Sequence, residues 1–321
     1  MNLAEMHSRR IIGRKPVGMA AVLLPFEASG EIAEDAYAAL LEGTVREGLT
    51  PAVNMDTGYA NLITDSEKLR MLKTAQRAMN GRPYVAGAFV EGQDGDVVEL
   101  YRREIGRIAE HGGTPILFQT SRIHQFGSNG AAGLSPAQIV DVYDRATRDV
   151  ETAYAFELGK MFAPNGEIWT EEVFQGLLQI PQIKGAKHSS LDRTIEIERL
   201  ALRDKVRPEF RVFTGNDLGI DMIEYGSDYL LGLAAFSPAK FAERDRLWAA
   251  QDPGYLKVAD ALQLLGNIAF RAPVPAYKHS CAHFLHMLGK IPTSRTHPRS
   301  PERPAWEPEI LRSCAERLEL V

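Results

Sequence analysis

The chain has 321 residues, enough for one large domain with an appendage. Hydrophobic residues make up 45% and charged residues 25%, with 27 Gly and 18 Pro, a globular balance that excludes disordered, collagen-like and coiled-coil chains. Lys plus Arg total 37 against 42 Asp plus Glu, a formal net charge of -5 that offers no electrostatic footprint for nucleic acid.

No apolar run approaches the roughly 18 residues that span a bilayer, so no membrane partner is expected. Residues 1–16 carry Glu5, Arg9, Arg10, Arg14 and Lys15 but no apolar core of a secretory signal. Cys281 and Cys314 lie too far apart for a CxxC metal or redox motif. A soluble, cytoplasmic, reduced protein is expected.

Apolar runs of strand length alternate with helical patterns. Strands are expected over 17–24, 50–54, 84–89, 115–119, 153–157, 182–187, 210–214 and 228–232. Helices between them open on recognisable caps: Thr64 with Glu67, Ser135 with Gln138, Ser237 before Pro238, and Thr170 before Glu171 and Glu172. Eight strand-helix units fit a (β/α)8 TIM barrel, typically about 250 residues, and no GxGxxG or GxxxxGK[ST] turn supports a nucleotide-binding sheet. After Pro253 the pattern turns wholly helical, over 255–268, 275–288 and 308–320, with a Pro-, Ser- and Arg-rich connector over 292–304 that reads as a loop or an interface arm. The expected organisation is a barrel over 1–252 and a helical appendage over 253–321.

In such barrels the active site lies at the C-terminal ends of the strands. The strand-end windows hold Asp56, Thr57 and Gly58; Glu91; Gln119, Ser121 and Arg122; Glu157 and Lys160; Lys187 and His188; and Thr214, Asn216 and Asp217. Lys187 closes the sixth strand. An ammonium enclosed by an apolar barrel loses hydration, its pKa falls, and the free amine can attack a carbonyl to form an imine. The bland alternative is a solvated loop lysine.

The order and spacing of several segments resemble the dihydrodipicolinate synthase and N-acetylneuraminate lyase superfamily of Schiff-base class I aldolases. Residues 18–26 with Gly30 and Ile32 look like its first strand and turn, and Asp56-Thr57-Gly58-Tyr59 sits where the family has a Thr-Thr-Gly-Glu loop. Ile183-Lys184-Gly185-Ala186-Lys187 resembles the imine-lysine strand, and Phe213-Thr214-Gly215-Asn216-Asp217 with Gly226 and Gly232 resembles the last two strands. The resemblance implies that Lys187 forms the imine and that Thr57 and Gly58 help hold a substrate carboxylate. It also implies a homotetramer or dimer, with neither metal nor organic cofactor.

Departures from the family pattern shape the expected chemistry. Asp56 stands where the family has a hydroxyl residue. An ionised aspartate repels a carboxylate, so Asp56 is read as a general acid/base or as the partner of a substrate hydroxyl, with a turn-capping role as the alternative. The fifth strand lacks the family's Tyr followed by Asn-x-Pro. By alternation Ala153, Ala155 and Glu157 share a face, taken here as the crowded barrel interior, which makes Glu157 a candidate acid/base or a partner of Lys160 or Lys187. Ser121-Arg122-Ile123-His124 replaces the family's paired tyrosines, and Arg122 becomes a candidate for binding a carboxylate, or else an exposed or interface arginine.

Gln119 at the fourth strand end and Asn216 at the seventh are further substrate-binding candidates, with Asp217 expected to cap a seventh helix. His279, His283 and His286 share one face of a helix at spacings of four and three, a weak metal pattern without a carboxylate. Lys278 is expected to pack near the barrel mouth or to face solvent. The leading expectation is an imine-forming lyase, aldolase or dehydratase, acting on a 2-keto acid derived from a sugar acid. The alternatives are a metal-dependent barrel using Asp56, Glu91, Glu157 and Asp217, and a barrel that has lost catalysis and binds a ligand.

Overall fold

The computed structural model describes residues 1–126 and 133–321. After a short helix α1 (Leu3–Ser8), the chain alternates through β1 (Gly18–Ala21), α2 (Glu34–Arg46), β2 (Thr50–Val53), α3 (Asp65–Met79), β3 (Val85–Ala88), α4 (Val97–Glu110), β4 (Thr114–Phe118) and α5 (Pro136–Thr147). It continues through β5 (Ala153–Leu158), α6 (Glu171–Leu177), β6 (Ile183–Ser189), α7 (Arg193–Val206), β7 (Arg211–Thr214), β8 (Asp228–Leu231) and α8 (Pro238–Ala249). The strands form a closed parallel barrel in which β1 also pairs with β8, Met19 against Leu230. This is the expected (β/α)8 barrel, followed by α9 (Gly254–Ala269), α10 (Tyr277–Met287) and α11 (Glu307–Arg317).

Local chemistry sets the helix starts. The Thr64 hydroxyl accepts from the Glu67 amide while the Glu67 carboxylate accepts from the Thr64 amide, and Ser135 and Gln138 repeat the arrangement ahead of Pro136. Thr170 stands at the N-cap of α6 with Glu171 and Glu172 in the first turn, as expected; only its hydroxyl departs from the pattern of the other caps, making no cap bond. The seventh connection departs too, forming only a 3-10 segment (Ile220–Tyr225) that ends at Gly226 with φ of 104°. Asp217 therefore caps no helix.

Alternation along the strands sorts two apolar layers. Met19, Val85, Ile116, Phe118, Phe156 and Phe213 fill the barrel interior, each large ring worth about 1.5–3 kcal/mol on burial, while Val53, Leu117, Ala155 and Ala186 pack outward against the helices. The β5–β6 register shifts from Ala153 opposite Ile183 to Tyr154 opposite Gly185, leaving Lys184 as an extra residue. Ile183 faces the helices, and simple alternation would send residues 185, 187 and 189 after it. The extra residue reverses the phase, so Gly185, Lys187 and Ser189 turn inward.

The C-terminal helices lie against the barrel, α9 on α8 and α11 on α9 and α10. The connector is tied to the chain's own carbonyls: Thr293 Oγ1 donates to Phe26 O at 2.7 Å, and the buried Arg303 guanidinium donates to Ala269 O at 2.7 Å and Arg271 O at 2.9 Å. On α10 itself, His279 Nδ1 accepts from the Arg303 amide at 2.6 Å and Ser280 Oγ from Arg303 Nε at 3.3 Å, which ties α10 to the connector at the barrel mouth. No helix among the described residues is long and apolar enough to cross a membrane.

Candidate active site

At the C-terminal end of the barrel, Asp56, Thr57, Phe156, Lys187, Ser189, Gly215, Asp217 and Tyr277 line one chamber. Lys187 is buried there with Nζ 4.3 Å from the centre of the Phe156 ring. Room for it depends on Gly215: a Cβ at that position would lie 2.5 Å from Lys187 Cε and overlap Ser189 Oγ. Burial pushes the Lys187 ammonium down to about 8, against the opposing pull of Asp217 and Asp56. Asp217 is pushed up to about 7 by burial, even with the Lys187 charge beside it and its Oδ1 accepting from the Leu233 amide at 2.8 Å. The Ser189 hydroxyl is buried without a hydrogen-bond partner among the described residues, a donor at the chamber wall ready for a ligand.

Two residues of α10 complete the site, Tyr277 at the chamber and Lys278 at its mouth; sequence reasoning passed over Tyr277 and gave Lys278 no chemical role. The Tyr277 hydroxyl donates to Asp56 Oδ2 at 2.8 Å and lies 2.8 Å from Thr57 Oγ1, its ring stacked on Phe270 at 4.3 Å. Burial, with Asp56 beside it, pushes the Tyr277 phenol well above its usual range, so it stays protonated. Lys278 is 2% exposed, and its Nζ donates to the same Asp56 oxygen at 2.9 Å. Of the two expectations for Lys278, a place near the barrel mouth holds and exposure to solvent does not; the structure adds its ion pair with Asp56. The available signal was the Tyr277-Lys278 pair opening an apolar helix.

Outside the chamber, Asp56 and Lys278 join Phe89, Phe118, Leu158, Phe162 and Asn61 around an open vestibule. Asp56, Leu158 and Phe162 border both spaces, so the vestibule leads to Lys187.

Other expected site residues do not reach this space. Glu157 is a correction: with Ala153 and Ala155 it faces the helices, while Tyr154, Phe156 and Leu158 point inward. Its carboxylate accepts from His188 Nδ1 at 2.7 Å, the Trp169 amide at 2.7 Å and Arg199 Nε at 3.2 Å. Burial alone would raise the Glu157 carboxyl, but His188, Arg199 and the Trp169 amide hold it below the usual carboxylate range.

Gln119 is a second correction, since its Oε1 accepts from the Glu167 amide at 3.1 Å and its carbonyl from Asn165, propping the loop after β5. Arg122 is exposed and donates to the Gln93 and Gly95 carbonyls, away from the chamber. Asn216 lies behind the strands, donating to Glu196 at 2.6 Å and accepting from the Leu191 amide at 2.7 Å. The Gly58 amide is committed to Met55 O at 2.9 Å within a 3-10 turn (Asp56–Gly58), which leaves Thr57 as the chamber residue of that pair.

The four carboxylates of the metal-dependent alternative do not converge. Glu91 is bound by the Thr120 and Ser121 hydroxyls, Glu157 is paired behind the sheet, and only Asp56 and Asp217 share the chamber. Among the described residues no three His, Cys, Asp or Glu side chains cluster as metal ligands. His279 is occupied instead, its Nδ1 accepting from the Arg303 amide at 2.6 Å and its ring packed 4.3 Å from His283.

A family model described as "Protein of unknown function (DUF993)" matches residues 29–294. A 4-hydroxy-tetrahydrodipicolinate synthase from an Exiguobacterium species is 26% identical over 203 residues, covering 61% of this chain and 62% of that protein's length. Among solved structures, the dihydrodipicolinate synthase of Thermotoga maritima aligns with a TM-score of 0.78 at 15% identity, covering 96% of this chain and 99% of that one. YagE, a prophage protein of the dihydrodipicolinic acid synthase family from E. coli K12, in complex with pyruvate, aligns with a TM-score of 0.79 at 13% identity over 95% and 99% of the two chains. The resemblance read from the motifs to the dihydrodipicolinate synthase and N-acetylneuraminate lyase superfamily holds.

Proposed function

The chain belongs to the DUF993 family, and from that premise we propose that it is an imine-forming lyase, aldolase or dehydratase, acting on a 2-keto acid. The observation that carries this reading is Lys187, a buried lysine at a barrel strand end whose ammonium is pushed down to about 8.

In this reading the free Lys187 amine attacks C2 of the keto acid and forms a carbinolamine. Asp217, pushed up to about 7 and so holding a proton near neutral pH, gives that proton to the departing hydroxyl. Water leaves, and a protonated imine remains. The imine accepts the electron pair when the C3–C4 bond breaks or a C3 proton departs. For a 4-hydroxy-2-keto acid, the C4 hydroxyl proton passes to Asp56 through Tyr277, the aldehyde leaves, and the enamine takes a proton at C3 before water releases the keto acid. Ser189 supplies a hydroxyl donor for the substrate carboxylate, Thr57 donates to the Tyr277 oxygen and orients it toward Asp56, and Lys278 holds the Asp56 charge in place. The reaction draws on no metal or organic cofactor.

The homo-oligomer implied by the resemblance belongs to the same proposal. The sugar-acid skeleton expected from the sequence loses its main support, because Asp56 is already engaged by Tyr277 and Lys278.

Exchange of the pyruvate methyl protons in D2O, followed by proton NMR, tests the imine directly through its enamine. Exchange by the wild-type protein that vanishes in Lys187→Ala supports the reading; equal exchange by both proteins, or none by either, removes it.

A further inference from the structure

The cleft leading to Lys187 has two unlike sides. Asp56, Thr57, Tyr277 and Lys278 stand on one, from the end of β2 and the start of α10. Facing them are Phe89, Phe118, Leu158 and Phe162, from the ends of β3, β4 and β5 and the loop that follows. The Phe89 and Phe118 rings meet edge to face at 5.5 Å and the Phe118 and Phe156 rings at 5.0 Å, so one aromatic surface runs from the vestibule to the ring beneath Lys187 Nζ.

The vestibule's polar groups are largely engaged already. Asp56 and Lys278 pair with each other, and the Asn165 side chain donates to the Gln119 carbonyl at 3.2 Å. A polyhydroxylated chain laid in this cleft would give up water around its hydroxyls and meet phenyl faces in return. A flat ring or alkyl group would bury apolar area and pack against the phenyl edges.

We propose that the substrate of the Lys187 chamber carries an aromatic or alkyl group beyond C4, with its keto-acid end toward Lys187 and its distal end on the Phe89–Phe118–Phe162 wall. The assignment rests on the imine-forming reading and narrows it to 2-keto acids with an apolar tail. Any C4 hydroxyl then lies on the Asp56–Tyr277 side, where its proton has a path.

The test is calorimetric binding to Lys187→Ala, which cannot form an imine and so reads the walls alone. The ligands are 4-hydroxy-4-phenyl-2-oxobutanoate and 2-keto-3-deoxygluconate. The phenyl ligand is expected to bind roughly 10- to 100-fold more tightly, the range an apolar pocket achieves against added hydroxyls. Adding Phe162→Ser, a half-buried loop position, is expected to shrink that ratio. Circular dichroism confirms that each variant is folded. Equal or tighter binding of the sugar acid overturns the proposal, as does failure of a folded variant to bind either ligand. The pyruvate exchange assay on wild-type protein keeps the two claims apart: exchange with a sugar-acid preference overturns the apolar tail alone, and absence of exchange overturns the imine.

Discussion

Lys187 and Asp217 titrate as neighbours in one buried chamber, so each proton equilibrium depends on the other. With the Lys187 ammonium at about 8, roughly a tenth of it is free amine at pH 7 and most of it above pH 9. Imine formation needs the Lys187 amine free and Asp217 protonated, so its rate with pyruvate is expected to peak between pH values of about 7 and about 8 and to fall on either side. Asp217→Asn removes the carboxylate that favours the charged lysine. With Asp217 gone only the Lys187 midpoint remains, and it is expected to fall below about 8, while turnover of a full substrate falls about 100-fold or more for want of the proton donor. A stopped-flow pH profile checks this; a midpoint that stays or rises contradicts the pairing. Glu157 makes the opposite case. Its carboxylate neutralises buried Arg199 and meets His188 behind the sheet, so Glu157→Ala is expected to lower stability by about 3–5 kcal/mol in denaturant unfolding. The folded fraction should still form the imine, and a stable variant that cannot form it would restore Glu157 to the chemistry.

Strand phase decided how much of the site could be read from the sequence. The barrel was legible because apolar strand runs and capped helices recur eight times, and Lys187 was legible as a lysine closing such a run. The face each side chain takes was less so. Ala153, Ala155 and Glu157 looked like an interior set because small residues suit a crowded barrel. The interior is instead filled by Phe118, Phe156 and Phe213, and the alanines let the helices approach. Arg199 on α7, the charge that lets Glu157 point outward, sits 42 residues away, too distant for a local pattern to reveal. The extra residue in β6 is likewise a property of pairing and turns Lys187 inward. The next constraint on that strand end is Gly215. Gly215→Ala adds a methyl group where Lys187 Cε and Ser189 Oγ already sit, so imine formation is expected to fall at least tenfold with the fold retained. Unchanged trapping with circular dichroism identical to wild type would show that the lysine has another path.

Across the whole molecule, the helices after residue 253 do more than cover the barrel. They hold α10 so that Tyr277 and Lys278 meet Asp56 at the mouth, and the connector pins that arrangement through Arg303. Long-range docking of this kind is not set by local sequence, where its one trace is the Tyr277-Lys278 pair that opens α10. Tyr277→Phe keeps the stack on Phe270 and removes only the hydroxyl. It is expected to leave pyruvate imine formation near wild type while lowering turnover of a 4-hydroxy-2-keto acid about 100-fold; equal loss of both steps would make Tyr277 structural. The account stands most directly on the lysine itself. Reduction with borohydride in the presence of pyruvate, followed by intact-mass and peptide mapping, should place a covalent adduct on Lys187 and on no other lysine, and Lys187→Ala should carry none. A folded wild-type protein that gives no adduct, or one whose adduct maps to Lys278, would contradict it.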